Sequence, residues 1–312
     1  MKQRVLGKTY IKVSEIGFGG WAIGGNAYGE AYGYTEDDAS LAAIQRALAL
    51  GCTFFDTADA YGYGHSEELL GRALRQRSDV VVATKVGSNF YGEHPVPDFS
   101  ASYIRSALEN SRQRLQRDVI DVYQLHNPPK DLLAEPRTYE VLQQLKAEGR
   151  IRAFGVSVFH ADEALTAIEA GQPDVVQLPY NLLNTDAERL FPVAQREGVG
   201  IVAREPLASG FLSGKYNVDA KFGPGDFRAD LPRQYVQAMV SSAEAFRFLE
   251  AGGQRTLVQA AIRFVLEQEA VSTVITGVKT AVQAEEDLGA AEVLALTPAE
   301  RQRIHELMGR RA

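Results

Sequence analysis

Eight short apolar runs, set apart by segments whose apolar residues recur at helical spacing, are the feature that most narrows what this chain can fold into. The runs are Ile16–Gly19, Thr53–Asp56, Val80–Thr84, Ile120–Leu125, Ala153–Val156, Val175–Leu178, Gly200–Ala203 and Thr273–Thr276. The periodicity predicts helices over Asp38–Leu50, Ser66–Arg75, Ser100–Gln116, Ala134–Glu148, Ala161–Glu169, Asp186–Glu197, Arg255–Glu267 and Ala281–Ala290. Near-continuous apolar runs suit strands buried on both faces, and strands alternating with helices pair in parallel. Eight such units close into an α/β fold of the (β/α)8 TIM-barrel type, with residues 1–312 as a single barrel domain.

Three segments lie outside the rhythm. The first residues read as a β-hairpin through Ser14, ahead of the first barrel strand. Pro206–Ala251 is a long loop after strand 7 with a helix of its own, and loops of that length in compact folds are usually functional. Leu296–Gly309 is a C-terminal extra helix opened by Thr297-Pro298, a good pair for a helix start. Gly51, Gly149 and Gly198 follow predicted helices where a left-handed residue ends them.

Composition removes several function classes. The formal charge is −7 with no run of five like charges, so the chain offers no basic stripe to nucleic acid. No stretch nears the roughly 20 apolar residues of a membrane helix. The start, MKQRVLGKTYIKVSE, lacks a signal peptide's apolar centre, and the lone Cys52 cannot form an internal disulfide. These features lead to the expectation of a cytoplasmic protein acting on a small molecule. No metal is invoked, and the oligomeric state is left open.

In a TIM barrel the C-terminal ends of the strands face the active-site mouth. Asp56 ends the second run, Tyr61 follows in its loop, Lys85 ends the third and His126 the fourth. Singly, each has an ordinary role. Asp56 suits a turn, Lys85 can snorkel, Tyr61 can be a surface aromatic and His126 can bond backbone. Together they set a carboxylate, a phenol, an amine and an imidazole at one mouth. A phenol with a pKa near 10 is a weak acid at neutral pH, and a neighbouring ammonium is expected to lower it. The carboxylate keeps the lysine charged. A carbonyl held between phenol and imidazole is open to hydride attack, with tyrosine protonating the alkoxide. A nicotinamide is the hydride source such a site needs.

The stretch FFDTADAYGYGHSEELLGRAL, Phe54–Leu74, resembles the most specific motif of the aldo-keto reductases, related here to the branch that includes potassium-channel β subunits. The likeness spans GFGGWAIGG at Gly17–Gly25 to DLGAAEVLAL at Asp287–Leu296. It implies the same barrel, NADP(H)- or NAD(H)-dependent carbonyl chemistry, and Asp56, Tyr61, Lys85 and His126 as the catalytic tetrad. It further implies cofactor contacts from Gly20, Trp21 and Asp56. Ser157 and Gln177 would hold the nicotinamide carboxamide. AREPLASGFLSGKY supplies Arg204, Glu205, Pro206, Leu207, Ala208, Ser209 and Lys215, and GDFR supplies Arg228. ITGVKTAVQAEEDLGA supplies Gly277, Lys279, Gln283, Glu286 and Asp287 at the adenosine-phosphate end, Gly277 opening toward a helix N-terminus. Trp21, Tyr61 and His126 would meet substrate. The pattern departs where Val158 replaces an asparagine, Arg204 an aromatic residue and Asp287 an asparagine, and where Ile275-Thr276-Gly277 replaces Ile-Pro-Gly.

The leading reading is an NADPH-dependent reductase of aldehydes or ketones, with NADH possible. The alternatives are an NAD(P)-linked sugar or polyol dehydrogenase, and a cofactor-holding binding module like the channel β subunits, against which the short N-terminus argues. Tyr28, Tyr32, Tyr34, Phe90 and Tyr91 are expected to form an aromatic collar suited to a sugar ring or an aryl aldehyde.

Overall fold

In the computed structural model, which describes residues 1–29 and 31–309, eight parallel strands close a barrel in strict chain order. They are Ile16–Gly19, Phe54–Asp56, Val81–Val86, Ile120–His126, Ile151–Ser157, Val175–Pro179, Gly200–Arg204 and Val271–Gly277. All eight expected runs are strands. The barrel interior holds Phe54, Val81, Ala83, Val122, Ala153, Val175, Val202 and Ile275 in one apolar cluster. Its lower end is plugged by Leu6, Ile11 and Val13 of the N-terminal hairpin, whose strands Gln3–Val5 and Lys12–Ser14 pair antiparallel. Outside, a larger cluster joins the strands' other faces to the helices.

The caps explain where helices stop. Gly51, Gly149 and Gly198 take φ of 86°, 70° and 68°. Two other helices end on left-handed glutamines, Gln116 and Gln172, which no glycine signalled. Proline breaks two predicted helices. Ala134–Glu148 becomes Lys130–Ala134 and Arg137–Ala147 with Pro136 between them. Asp186–Glu197 becomes a 3₁₀ turn at Asp186–Arg189 and a helix over Phe191–Glu197 with Pro192 in its first turn. The seventh helix starts at Leu257, where Thr256 and Gln259 form a reciprocal capping box, not at Arg255. A two-residue-per-arm hairpin, Ser88–Asn89 with Val96–Pro97, rises from the third strand and is too short for any periodicity to reveal.

The long loop carries the helix Arg233–Glu244 and crosses the mouth. Phe227 N–H donates to Ala31 O at 3.0 Å and Gly33 N–H to Gly225 O at 3.0 Å. The loop after the seventh strand is thus tied to the loop after the first. Among the described residues no helix is long and apolar enough to cross a membrane.

Candidate active site

Strand register sets the site's levels. Lys85 pairs with Gln124, and His126 with Ser157, which pairs with Gln177. Polar side chains therefore gather above the apolar plug. Tyr61 comes from a loop whose path is fixed by small contacts. Thr57 Oγ1 donates to Ser66 Oγ, and Ser66 Oγ to Gly20 O, each at 2.8 Å. Gly62, at φ +61°, lies so close to Gly24 that a Cβ would meet its carbonyl oxygen at 2.2 Å. Glycine is required there, and the turn aims the preceding tyrosine inward.

Lys85 is fully buried, and its Nζ lies 2.5 Å from Asp56 Oδ1, 2.9 Å from Thr57 O and 3.1 Å from Tyr61 Oη. Asp56 is answered on its other oxygen by Gln177 Nε2 at 2.8 Å and Gln124 Nε2 at 3.3 Å. The His126 ring stands edge-on to Tyr61, centroids 5.6 Å apart. The structure brings all four expected residues together.

The electrostatics correct one expectation. Burial raises the Tyr61 phenol above its ordinary value, and the opposing pull of Lys85 does not overcome it. The group is a neutral phenol, a hydrogen-bond donor, across the neutral range. Burial lowers the Lys85 ammonium, but Asp56 and Tyr61 more than offset this and hold its pKa above normal. His126 is pushed well below its usual range by burial and by the cations Lys85 and Arg204, so it is a neutral imidazole.

A cavity of about 760 Å³ lies over Asp56, Tyr61 and His126, and a cleft of about 310 Å³ continues from it. The two share Tyr32, Glu205, Ser209 and Gly277. The cavity takes in Gly20, Trp21, Asp56, Ser157, Gln177 and Arg204. The cleft takes in Pro206, Leu207, Lys215, Arg228, Lys279, Gln283, Glu286 and Asp287. Ala208 is buried and lines neither, holding the tight turn that exposes Ser209, with φ of 46° and 55° at the two residues.

Several groups are engaged differently from expectation. Arg228 is buried and spent. It forms a two-armed bond to Asp226 at 2.6 and 2.9 Å, donates to Ser209 O at 2.9 Å, and lies 4.3 Å over the Phe222 ring. It clasps the long loop instead of presenting a free cation. Lys279 donates its ammonium to the Tyr32 carbonyl. Arg204 pairs with Glu205, donates to Val158 O at 3.1 Å and lies 4.8 Å over Phe159. Val158, in the place of an asparagine, buries its side chain and contributes that carbonyl.

Of the aromatic collar, Tyr32 lines the cavity, beside the expected Trp21. Tyr28, Phe90 and Tyr91 instead form a stacked ladder with Tyr63 on its rim, and Tyr34 is exposed. Sequence reasoning missed Tyr63, Phe159 and Phe227 as cavity residues. Each sits one or two residues from a residue already singled out, Tyr61, Ser157 or Arg228, and that adjacency was the available signal.

The chemistry of the residues fits a nicotinamide dinucleotide. Gln177 Oε1 is buried in the cavity with no hydrogen-bond partner among the described residues, an acceptor left for a carboxamide. The cleft then runs past lysines to the N-terminus of Ala281–Leu288, a natural place for phosphate.

Known proteins of this architecture share the whole chain. The solved glycerol dehydrogenase AKR11B4 from Gluconobacter oxydans superposes with a TM-score of 0.84 at 28% identity, covering 99% of this chain and 95% of that one. The holo form of aldo-keto reductase AKR11C1 from Bacillus halodurans gives 0.82 at 31% identity, covering 98% and 96%. The NADH-specific methylglyoxal reductase of Escherichia coli K12 is 31% identical over 94% of each chain. The sequence pattern of the aldo/keto reductase family matches residues 15–308, and the chain belongs to that family of oxidoreductases, which act on carbonyl and alcohol groups with nicotinamide cofactors.

Proposed function

We propose that this protein reduces aldehydes or ketones to alcohols with NADPH, Tyr61 delivering the proton. The observation that carries the reading is the Tyr61 phenol, 3.1 Å from the Lys85 ammonium at the base of a cavity that opens into the cleft. When bound, the cofactor supplies the hydride. A substrate carbonyl oxygen accepts hydrogen bonds from Tyr61 Oη and from the neutral His126. As negative charge grows on that oxygen, the phenol transfers its proton to it. Lys85 stabilises the phenolate left behind, and Asp56 keeps the lysine charged and aimed. Gln177 and Gln124 hold Asp56 in turn.

Ser157 and Gln177 would hold the carboxamide, and Pro206, Leu207 and Ser209 with Gly277 the middle of the cofactor. Lys215, Lys279, Gln283, Glu286 and Asp287 would hold its outer end. The lysines support NADPH over NADH, whereas the Escherichia coli relative is named for NADH, so NADH is expected as the weaker cofactor here. A second reading, polyol oxidation, draws support from the glycerol dehydrogenase whose fold this chain shares.

The test is a panel of aldehydes, ketones and polyols with each cofactor, followed at the nicotinamide absorbance. Carbonyl reduction with NADPH should be fastest. Glycerol oxidation with NAD⁺ outrunning every carbonyl would move the conclusion to the dehydrogenase.

A further inference from the structure

Asp287 sits in the last turn of Ala281–Leu288, only 4% exposed, where it lines the outer end of the cleft beside Gly277, Gln283 and Glu286. Among the described residues no cation pairs with its carboxyl, and Lys215 acts on it only from a distance. Lys215, from the long loop, reaches Glu286 at 3.8 Å, and Lys279 gives one of its N–H groups to the Tyr32 carbonyl. The Thr276 hydroxyl of the eighth strand faces the carboxyl and favours its ionised form, but completes no hydrogen bond among the described residues. The neighbouring helices add no counter-charge. Arg46 of Asp37–Ala49 engages Glu285 at 2.8 Å, and Gln259 of Leu257–Leu266 reaches the Glu286 carbonyl at 3.4 Å. A carboxylate here is desolvated and faces a like charge.

We propose that Asp287 meets the outer part of the dinucleotide as a neutral carboxylic acid, so that binding of the anionic cofactor is coupled to one proton at this residue. The inference rests on the cofactor reading above. A neutral acid presents one donor and one acceptor, as an amide does, whereas an ionised one offers acceptors alone and repels phosphate. Burial, with Glu286 beside it, lifts the carboxyl to about 7 in the free protein. A polyanion bound nearby raises it further. By linkage, losing the proton weakens binding by the same factor. The sign follows: affinity is full below about pH 7 and falls as pH rises through it.

The experiment titrates NADH, which carries no group of its own ionising in this range, into the protein from pH 6 to 8. Quenching of Trp21, the only tryptophan, reports binding. The NADH Kd should rise about tenfold over that interval, and Asp287→Asn should flatten the slope. Calorimetry of the unmodified protein at pH 8, in two buffers of different ionisation heat, should show uptake of about one proton and needs no variant. NADPH adds the titration of its own phosphate near 6, a slope the variant keeps. A pH-independent NADH affinity overturns the proposal, and so does a slope that persists in Asp287→Asn. Failure of both dinucleotides to bind at any pH would remove the cofactor reading beneath it as well.

Discussion

The two ends of the cleft treat charge in opposite ways. At the barrel axis each ionised group is answered inside the protein: Lys85 by Asp56, and Asp56 by Gln177 and Gln124. These side chains stand on strands locked to their neighbours. At the outer end the polar groups come mostly from a loop and a helix, and the buried Thr276 hydroxyl of the eighth strand has no completed bond among the described residues. The inner end is finished before any ligand arrives, as preorganised electrostatics requires. The outer end is finished by its ligand. Damage to the inner end should therefore appear in turnover, and damage to the outer end in affinity.

The largest expected effect comes from breaking the inner network at its cation. Lys85→Met leaves the buried Asp56 uncompensated and the phenolate unsupported. Turnover should fall about 10³-fold or more at neutral pH. Asp56→Asn should cost less, because the lysine persists. The double variant should be little worse than Lys85→Met, since the residues act as one unit. Additive losses in steady-state kcat would show two separate roles.

Tyr61→Phe should lower kcat by roughly 10²-fold or more and leave the NADPH dissociation constant nearly unchanged. The unmodified enzyme's kcat should be flat between about pH 7 and 9. Its phenol titrates above its ordinary value and His126 well below its own. A kcat that falls with an apparent pKa inside that window would mean that the phenol is not the neutral acid described. Near-normal turnover in the Phe variant would remove Tyr61 from the chemistry.

This division also governed what was legible in the sequence. Strand ends are set by backbone register, so Asp56, Lys85 and His126 were each placed from apolar runs and the barrel rule, whereas Ser157 and Gln177 came from the family resemblance. Whether a side chain's charge is free is set by contacts distant in sequence. Arg228 bonds Asp226 two residues away, but it also closes on Ser209 and Tyr216. The bond from Lys279 to Tyr32 spans 247 residues. No local pattern carries that information. The same holds for the Tyr61 phenol: the lysine beside it was readable, and the burial that outweighs it was not.

At the outer end Lys279 gives the sharper test, because the structure assigns it a second job. If it meets the 2′-phosphate, Lys279→Ala should weaken NADPH about tenfold and NADH less than about twofold. If its bond to Tyr32 only holds the two loops across the cleft, both cofactors should weaken equally. Arg228→Met is the comparison, since it loosens the same clasp without removing a group free to reach phosphate. It should weaken both cofactors alike. We expect the selective result for Lys279, read by fluorescence titration of each cofactor. Equal weakening would assign the lysine to the clasp.

The smallest expected effect concerns a group that breaks the pattern at the inner end. Asp59 lies two residues before Tyr61, buried, its N–H donating to Lys85 O at 3.2 Å. Neither carboxyl oxygen finds a hydrogen-bond partner among the described residues. Burial, reinforced by the Glu67 carboxylate, raises its pKa well above the ordinary value, with Arg114 and Lys85 opposing. Arg114 holds Glu67 through its Nε at 2.7 Å and makes no hydrogen bond to Asp59 among the described residues. The folded chain therefore keeps a proton that the unfolded chain releases near pH 4. The native state binds more protons, so this group's contribution to stability falls as pH climbs from about 4 through the raised folded value. Asp59→Asn has no proton to lose. Relative to the unmodified protein, its melting temperature should gain as pH rises, being higher at pH 8 and equal or lower at pH 4. A melting difference that does not change between those two values would mean that Asp59 is ionised in the folded protein. The inner end would then hold an unanswered charge, and the contrast between the two ends would vanish.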